Sequence, residues 1–167
     1  MKLEVKYGLI TGGGIALWVL GEFVLGLHTV RLDLGEYSGY LSIIVPIIVF
    51  YFALKEKKDK ELNGMLSIKQ ALKSGFLISL VAGTVIALFF YVYPTFINPQ
   101  WMQLGLEFER NKMIASGVPL EQVLAQIDDL QALYTVPVQM GAAFVGTILQ
   151  GVIISLAMAL VLRKKTS

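Results

Sequence analysis

Long uninterrupted runs of apolar residues, separated by polar stretches, set the pattern of this chain. Four runs are long enough for membrane helices, because a bilayer core needs roughly 20 mostly apolar residues per helix. They cover approximately residues 7–27, 37–54, 74–97 and 136–162. The pattern therefore predicts an all-α fold, an integral membrane four-helix bundle that forms a single domain over residues 1–167.

The stretch of residues 98–133, between the third and fourth runs, has a different pattern. Its apolar residues recur at helical spacing on both sides of Gly117, and its acidic residues point elsewhere. We expect an amphipathic helical hairpin outside the cytoplasm, with Asn98 as N-cap, Pro99 at the first helical position and Gly117 at the turn. The apolar surface comprises Trp101, Leu104, Phe108, Leu120, Val123, Leu124, Ile127 and Leu130. It is expected to pack over the bundle, lie on the bilayer or receive a partner.

Composition supports a membrane protein. Hydrophobic residues make up 56% of the chain and charged residues only 16%, against about 45–50% and about 25% in soluble domains. The absence of cysteine excludes disulfides and thiol catalysis. A single histidine and a net charge of +2 argue against a His-rich metal site and against a nucleic-acid binder. We expect His28, near Asp33 and Glu36, to belong to a solvated loop rather than to a metal site.

The basic residues predict the orientation, because loops on the cytoplasmic side carry an excess of Lys and Arg. Most of them flank one set of run ends: Lys2, Lys6, Lys55, Lys57, Lys58, Lys60, Lys69, Lys73, Arg163, Lys164 and Lys165. This distribution predicts that both termini and the Lys-rich loop are cytoplasmic. We expect the first run to be retained as a span, since it is longer than the apolar part of a signal peptide.

Few polar residues fall inside the runs. Glu22 is the only ionisable one, and Gln139 and Gln150 share one face of the fourth run. A hydrogen bond between Glu22 and Gln139 is one expected pairing. These residues form either a structural polar clasp between helices, which we favour, or a path for an ion, proton or solute. Pro46 is expected to kink the second run.

Small residues spaced by four occur in the third and fourth runs, where they let helix backbones approach closely in lipid. They are Gly75, Ser79, Gly83, Ala143, Thr147, Gly151, Ser155 and Ala159. They would pack the bundle internally or form a seam between two copies, and the sequence favours neither.

Two loop motifs and the chain ends carry a resemblance. Five segments resemble a Bacteroidota inner-membrane family, catalogued as domain of unknown function 4199: residues 6–9, residues 58–64, the capping-box segment of residues 67–75, the entry into the hairpin at residues 97–99 and the basic residues 163–165. The resemblance covers essentially the whole chain. It implies a small four-helix protein of the bacterial inner membrane, and it implies no activity, cofactor or active-site residue.

From these patterns we expect a non-enzymatic membrane protein without a cofactor. The favoured function is an accessory or scaffold subunit that self-associates, as a homodimer or within a larger complex, or that docks a partner. The alternative is a small transporter or channel that uses Glu22, Gln139 and Gln150. Expected partners are the lipid bilayer and other membrane proteins, not nucleic acid.

Overall fold

The computed structural model describes residues 1–162, and all regular structure in that range is helical. The helices are α1 (Leu3–Val24), α2 (Leu32–Leu41), α3 (Ile44–Lys60), α4 (Ile68–Val92), α5 (Trp101–Ala115), α6 (Leu120–Leu133) and α7 (Val136–Leu162). A π-helical turn, Tyr93–Ile97, extends α4. The predicted all-α class is confirmed. Arg163, Lys164 and Lys165 lie outside the described residues.

Four stretches are long and apolar enough to cross a membrane: Leu3–Val24, Leu32–Lys60, Ile68–Ile97 and Val136–Leu162. They correspond to the four runs predicted from the sequence. The first helix begins four residues before the predicted span, because Leu3 to Lys6 already form its first turn.

The prediction of one continuous helix for the second span needs a correction, because this span consists of two helices with a break at Ser42 and Ile43. Pro46 is the third residue of α3, within its first turn. Because Pro46 has no N–H, the carbonyl of Ser42, four residues earlier, receives no helical hydrogen bond from it. The break thus lies where a proline interrupts a helix, and the kink expected from Pro46 stays a prediction.

Helix α4 lies at the centre of the bundle, where it packs most extensively on α7 and then on α1. Gly75 lies against Ser155 and Gly151 against Ser79, with no space for a Cβ atom at either glycine. Each serine hydroxyl donates to the carbonyl of the glycine four residues earlier, at 2.6 Å, so its polar atom is satisfied. These four residues, predicted from spacing, thus lie inside the bundle.

The other small residues take different places. Gly83 lies against Phe144, and Ala159 is fully buried. Ala143 and Thr147 instead line a cleft described below. The small-residue ridge of α7 therefore packs the bundle in one half and borders a cleft in the other.

The buried apolar core occupies the half of the bundle that carries the lysines. Its two clusters contain Phe50, Ala53, Ile78 and Ile154, and Leu54, Leu66, Ala71 and Ala159. At the end of this half, Lys57 pairs with Glu4, and Lys6 pairs with Glu56 at 3.0 Å between Nζ and Oε2. These ion pairs join α1 to α3, so the Lys-rich end of the bundle is closed.

The start of α4 follows the sequence prediction. Ser67 and Gln70 form a capping box. The backbone N–H of Gln70 donates to the Ser67 hydroxyl, and the backbone N–H of Ser67 donates to Gln70 Oε1. The preceding turn at Asn63 and Gly64 has φ of 49° and 79°. Such values are typical of the Asn-Gly turn expected from the sequence.

The predicted start of α5 also needs a correction. The helix begins at Trp101, and its N-cap is Gln100 and not Asn98. Asn98 does not cap α5 with its side chain. Its amide Nδ2 donates instead to Tyr93 Oη at 3.4 Å. The end of α5 is as predicted, since Gly117 has φ of 78° and follows the C-cap Ser116.

Candidate functional site

A cleft of about 500 Å³ lies between α1 and α7 in the half of the bundle away from the lysines. Ile86 and Phe90 of α4 form part of its wall. Glu22, Gln139 and Gln150, the three polar residues predicted from the sequence, all line it. The cleft therefore brings together side chains from two membrane helices that are more than 100 residues apart.

Glu22 is held firmly at one side of this cleft. It is only 5% exposed, and its two carboxyl oxygens have different donors. Trp18 Nε1 donates to Oε1 at 2.8 Å, from one helical turn earlier on α1. His28 Nε2 lies 3.1 Å from Oε2. Both carboxyl oxygens of Glu22 therefore have a partner within the protein.

The turn after α1 brings His28 back over Glu22. Gly26 has φ of 76°, and its carbonyl accepts from the N–H groups of Val30 and Arg31. The N–H of Leu27 donates to the carbonyl of Glu22 at 2.9 Å. A left-handed glycine thus folds the loop tightly, which is the conformation that glycine adopts at least cost.

The network extends from His28 to α4. His28 Nδ1 lies 2.6 Å from Tyr93 Oη, and Tyr93 is fully buried. Because His28 Nε2 faces a carboxylate, we assign the ring proton to Nε2 and the acceptor role to Nδ1. Tyr93 then donates to His28 and accepts from Asn98. Among the described residues, no buried side-chain nitrogen or oxygen atom lacks a hydrogen-bond partner, and this holds for the network as well.

The π-helical turn positions Tyr93. Pro94 has no N–H to donate to the carbonyl of Phe90, so the hydrogen-bond ladder of α4 cannot continue there. The chain instead closes a wider turn, in which the Asn98 N–H donates to the Tyr93 carbonyl at 2.8 Å. Single π turns of this kind are frequent at functional sites.

The electrostatics of the cleft follow from this network. Burial lowers the pKa of His28 below its usual 6.5, and the nearby Glu22 carboxylate opposes that shift without cancelling it. The ring is therefore neutral at neutral pH. Among the residues lining the cleft within positions 1–162, Glu22 and His28 are the only titratable ones. The described lining of the cleft thus includes one carboxyl side chain and no lysine or arginine.

Helix α5 lies beside the mouth of the cleft. Trp101 lines the cleft, and its ring centroid is 5.7 Å from that of Phe90 and 5.9 Å from that of Tyr93. Farther along α5, Lys112 Nζ bonds both carboxylate oxygens of Glu36 on α2, at 2.8 and 2.9 Å. The Glu36 carboxylate raises the pKa of Lys112. These contacts join α5 to the bundle.

The hairpin surface predicted from the sequence is only partly exposed. Leu120 is 59% exposed and Leu124 49% exposed, but Val123 is fully buried on α6, which packs on α5. The burial of Val123 fits a hairpin that packs on itself, which is one of the placements that the sequence leaves open for this apolar surface. The remaining members are half-buried: Trp101, Leu104, Phe108, Ile127 and Leu130.

Two further expectations are wrong. Gln139 Nε2 donates to the carbonyl of Leu133 at 3.1 Å, so Gln139 does not pair with Glu22. His28 does not belong to a solvated loop, since its side chain is only 15% exposed. Within residues 1–162 no three His, Asp or Glu residues are grouped for a metal ion.

Sequence analysis missed Trp18, Tyr93 and Asn98 as members of this network. Trp18 had a usable signal, because a residue four positions before Glu22 lies on the same helix face. For Tyr93, no local pattern shows that its hydroxyl meets His28, 65 residues away.

Comparison with known proteins yields a family. No curated protein and no solved structure matches the chain. The model of one family, described as "Protein of unknown function (DUF4199)", matches residues 6–164, which is nearly the whole chain. The protein therefore belongs to the DUF4199 family, as its loop motifs indicate.

Proposed function

We propose that this protein is a multi-pass protein of the bacterial cytoplasmic membrane, and that it binds a small solute in the cleft for transport. The observation that carries this proposal is the convergence of Glu22, His28, Gln139 and Gln150 on one cavity of about 500 Å³. Ligand sites are typically clefts of roughly 300–1,000 Å³ with mostly apolar walls and a few convergent polar groups. An ionisable side chain within a membrane helix also favours a functional site.

The proposed orientation places both termini and the Lys-rich loop in the cytoplasm. The start of α1, the end of α3 and the start of α4 meet at one end, where Glu4 contacts Lys57 and Ser74. The excess of lysine at that end favours the cytoplasmic side. The cleft and the hairpin of α5 and α6 then lie toward the outer face of the membrane.

We further propose that the site is not enzymatic. General base catalysis needs a ring nitrogen or carboxylate within reach of a reacting proton. Both nitrogens of His28 already have partners, Glu22 on one side and Tyr93 on the other. This saturation supports a binding role for the network.

Cysteine accessibility tests the proposed cleft, because the natural chain has no cysteine. Gly146 lines the cleft, whereas Leu149, one turn away on α7, is 60% exposed on an apolar surface. In proteoliposomes, G146C is expected to react with a water-soluble, charged maleimide and L149C is not. Equal protection of both cysteines would show that water does not reach the cleft, which overturns a solute site.

A second candidate function is the accessory or scaffold subunit favoured by the sequence. The exposed Leu120 and Leu124 on α6 support it, since large apolar side chains on a solvent-facing helix are typical of docking surfaces. Crosslinking in native membranes tests this candidate. A partner or second copy captured through L124C, and not through a cysteine at the acidic position Glu121, would favour it.

A further inference from the structure

The cleft opens sideways as well as toward the hairpin. Ala142 and Gly146 of α7 line the cleft and are also exposed on the molecular surface. The neighbouring Val145 and Leu149 are 54% and 60% exposed. Large exposed apolar residues on a membrane helix face lipid, so the rim at Ala142 and Gly146 borders the bilayer interior.

The walls of the cleft are mostly apolar. Ile15 and Val19 of α1 and Ile86 and Phe90 of α4 line it, and Trp101 adds an aromatic ring. A cavity of this size and lining fits an organic molecule with an apolar body better than it fits a bare ion.

The ionisable groups that line the cleft favour one class of such organic molecules. The cleft holds one carboxylate, Glu22, next to a histidine whose two nitrogens are occupied by Glu22 and Tyr93. An anion would meet Glu22 with no lysine or arginine lining the cleft in the described part of the chain. A cation would gain both the carboxylate and the aromatic faces, to which organic cations bind.

We propose that the ligand of this cleft is a hydrophobic organic cation that enters from the bilayer between α1 and α7. This inference rests on the proposed solute-binding function and assigns the ligand class. Glu22 attracts the positive charge, Phe90 and Trp101 contact the apolar body, and the small Ala142 and Gly146 leave the lateral opening.

Tryptophan fluorescence gives a direct readout, because both tryptophans of the chain belong to this region. Trp18 donates to Glu22, and Trp101 lines the cleft. The experiment titrates the purified full-length protein in detergent with tetraphenylphosphonium. Parallel titrations use tetraphenylborate, an anion of the same shape, and uncharged triphenylphosphine oxide. Only tetraphenylphosphonium is expected to give a saturable change.

Four variants locate the binding. E22Q is expected to weaken tetraphenylphosphonium binding by about tenfold or more, since it removes the charge in the cleft. G146L is expected to abolish binding by filling the cleft, where a Cβ on Gly146 meets no other atom. The matched controls are E121Q, on the exposed face of α6, and G141L, on α7 with equal space but outside the cleft lining. Both controls are expected to bind as the natural protein does.

The outcomes separate this inference from the proposed function. If tetraphenylborate or triphenylphosphine oxide binds as well as tetraphenylphosphonium does, and G146L abolishes that binding, the cation assignment is overturned while the solute cleft stands. Failure of tetraphenylphosphonium to bind, or binding that survives G146L, also overturns it. If E22Q does not fold, the comparison of the three probes and the G146L and G141L pair still decide. The solute cleft itself fails only if cysteine at position 146 is protected from water-soluble reagents.

Discussion

Glu22 illustrates how far a single residue can be interpreted from sequence. Its charge within an apolar run was enough to mark it as a candidate, because such residues are costly in a membrane. Its partners were not predictable in full. Trp18 lies one turn away on the same helix, but His28 reaches Glu22 only because Gly26 adopts a left-handed conformation. Side-chain pairing across a loop depends on such backbone details, which spacing does not reveal.

The buried His28 predicts a pH dependence of stability. Its pKa is lowered in the folded state, so the unfolded chain binds a proton first as the pH falls through about 6.5. Acidification in that range therefore favours unfolding. Thermal unfolding at about pH 7.5 and about pH 5.5 should show a larger loss for the natural protein than for H28Q, because glutamine does not titrate. An equal loss in both proteins would contradict the buried, neutral ring.

The glycine at position 75 predicts a steric effect. A Cβ there would overlap Ser155 on α7, so G75A is expected to destabilise the protein by about 1–3 kcal/mol. G141A is the matched control on α7, because its Cβ meets no atom within 4 Å. Chemical unfolding of the purified proteins in detergent measures both. A loss in G141A as large as that in G75A would argue against a specific contact.

At the scale of elements, long apolar runs and local caps were predictable, and helix breaks were not. The fourth run forms α7, which begins at the predicted Val136, and the capping box places the start of α4. The break between α2 and α3 falls at Ser42 and Ile43, four and three residues before Pro46. Pro46 indicated that the second run is interrupted, but not that the run divides into two helices at those residues.

The capping box at the start of α4 predicts a measurable contribution. S67A removes the acceptor for the Gln70 N–H and is expected to cost about 1 kcal/mol of stability. S116A is a suitable control, since Ser116 follows α5 and its hydroxyl only bonds back to Lys112. Thermal unfolding compares the two variants, and equal midpoints would show that the cap contributes nothing.

At the scale of the molecule, the two halves of the bundle differ in packing. Small residues bring α4 and α7 together around Gly75 and Gly151 in the lysine-bearing half, and the cleft occupies the other half. The sequence showed the small residues and the polar residues separately. It did not show that one ridge on α7 serves both, because that depends on how far α1 stands from α7.

The proposed orientation predicts the labelling of single cysteines in intact bacterial cells. S116C, at the end of α5, is expected to react with a membrane-impermeant maleimide, and K58C is expected to react only after lysis. The lysine excess at the end of α3 is the physical reason. Labelling of K58C in intact cells would reverse the orientation and place the cleft toward the cytoplasm.

The close contact of Gly151 with Ser79 and Phe50 has one more consequence. Gly151 follows Gln150, which lines the cleft, so this packing forms the floor of the cleft, whose openings are the lateral rim and the mouth beside the hairpin. A molecule captured beside Glu22 has no exit to the opposite compartment until α4 and α7 separate at this floor. Turnover would then be limited by that separation, and electrical recordings should register discrete slow cycles of the protein instead of a continuous current.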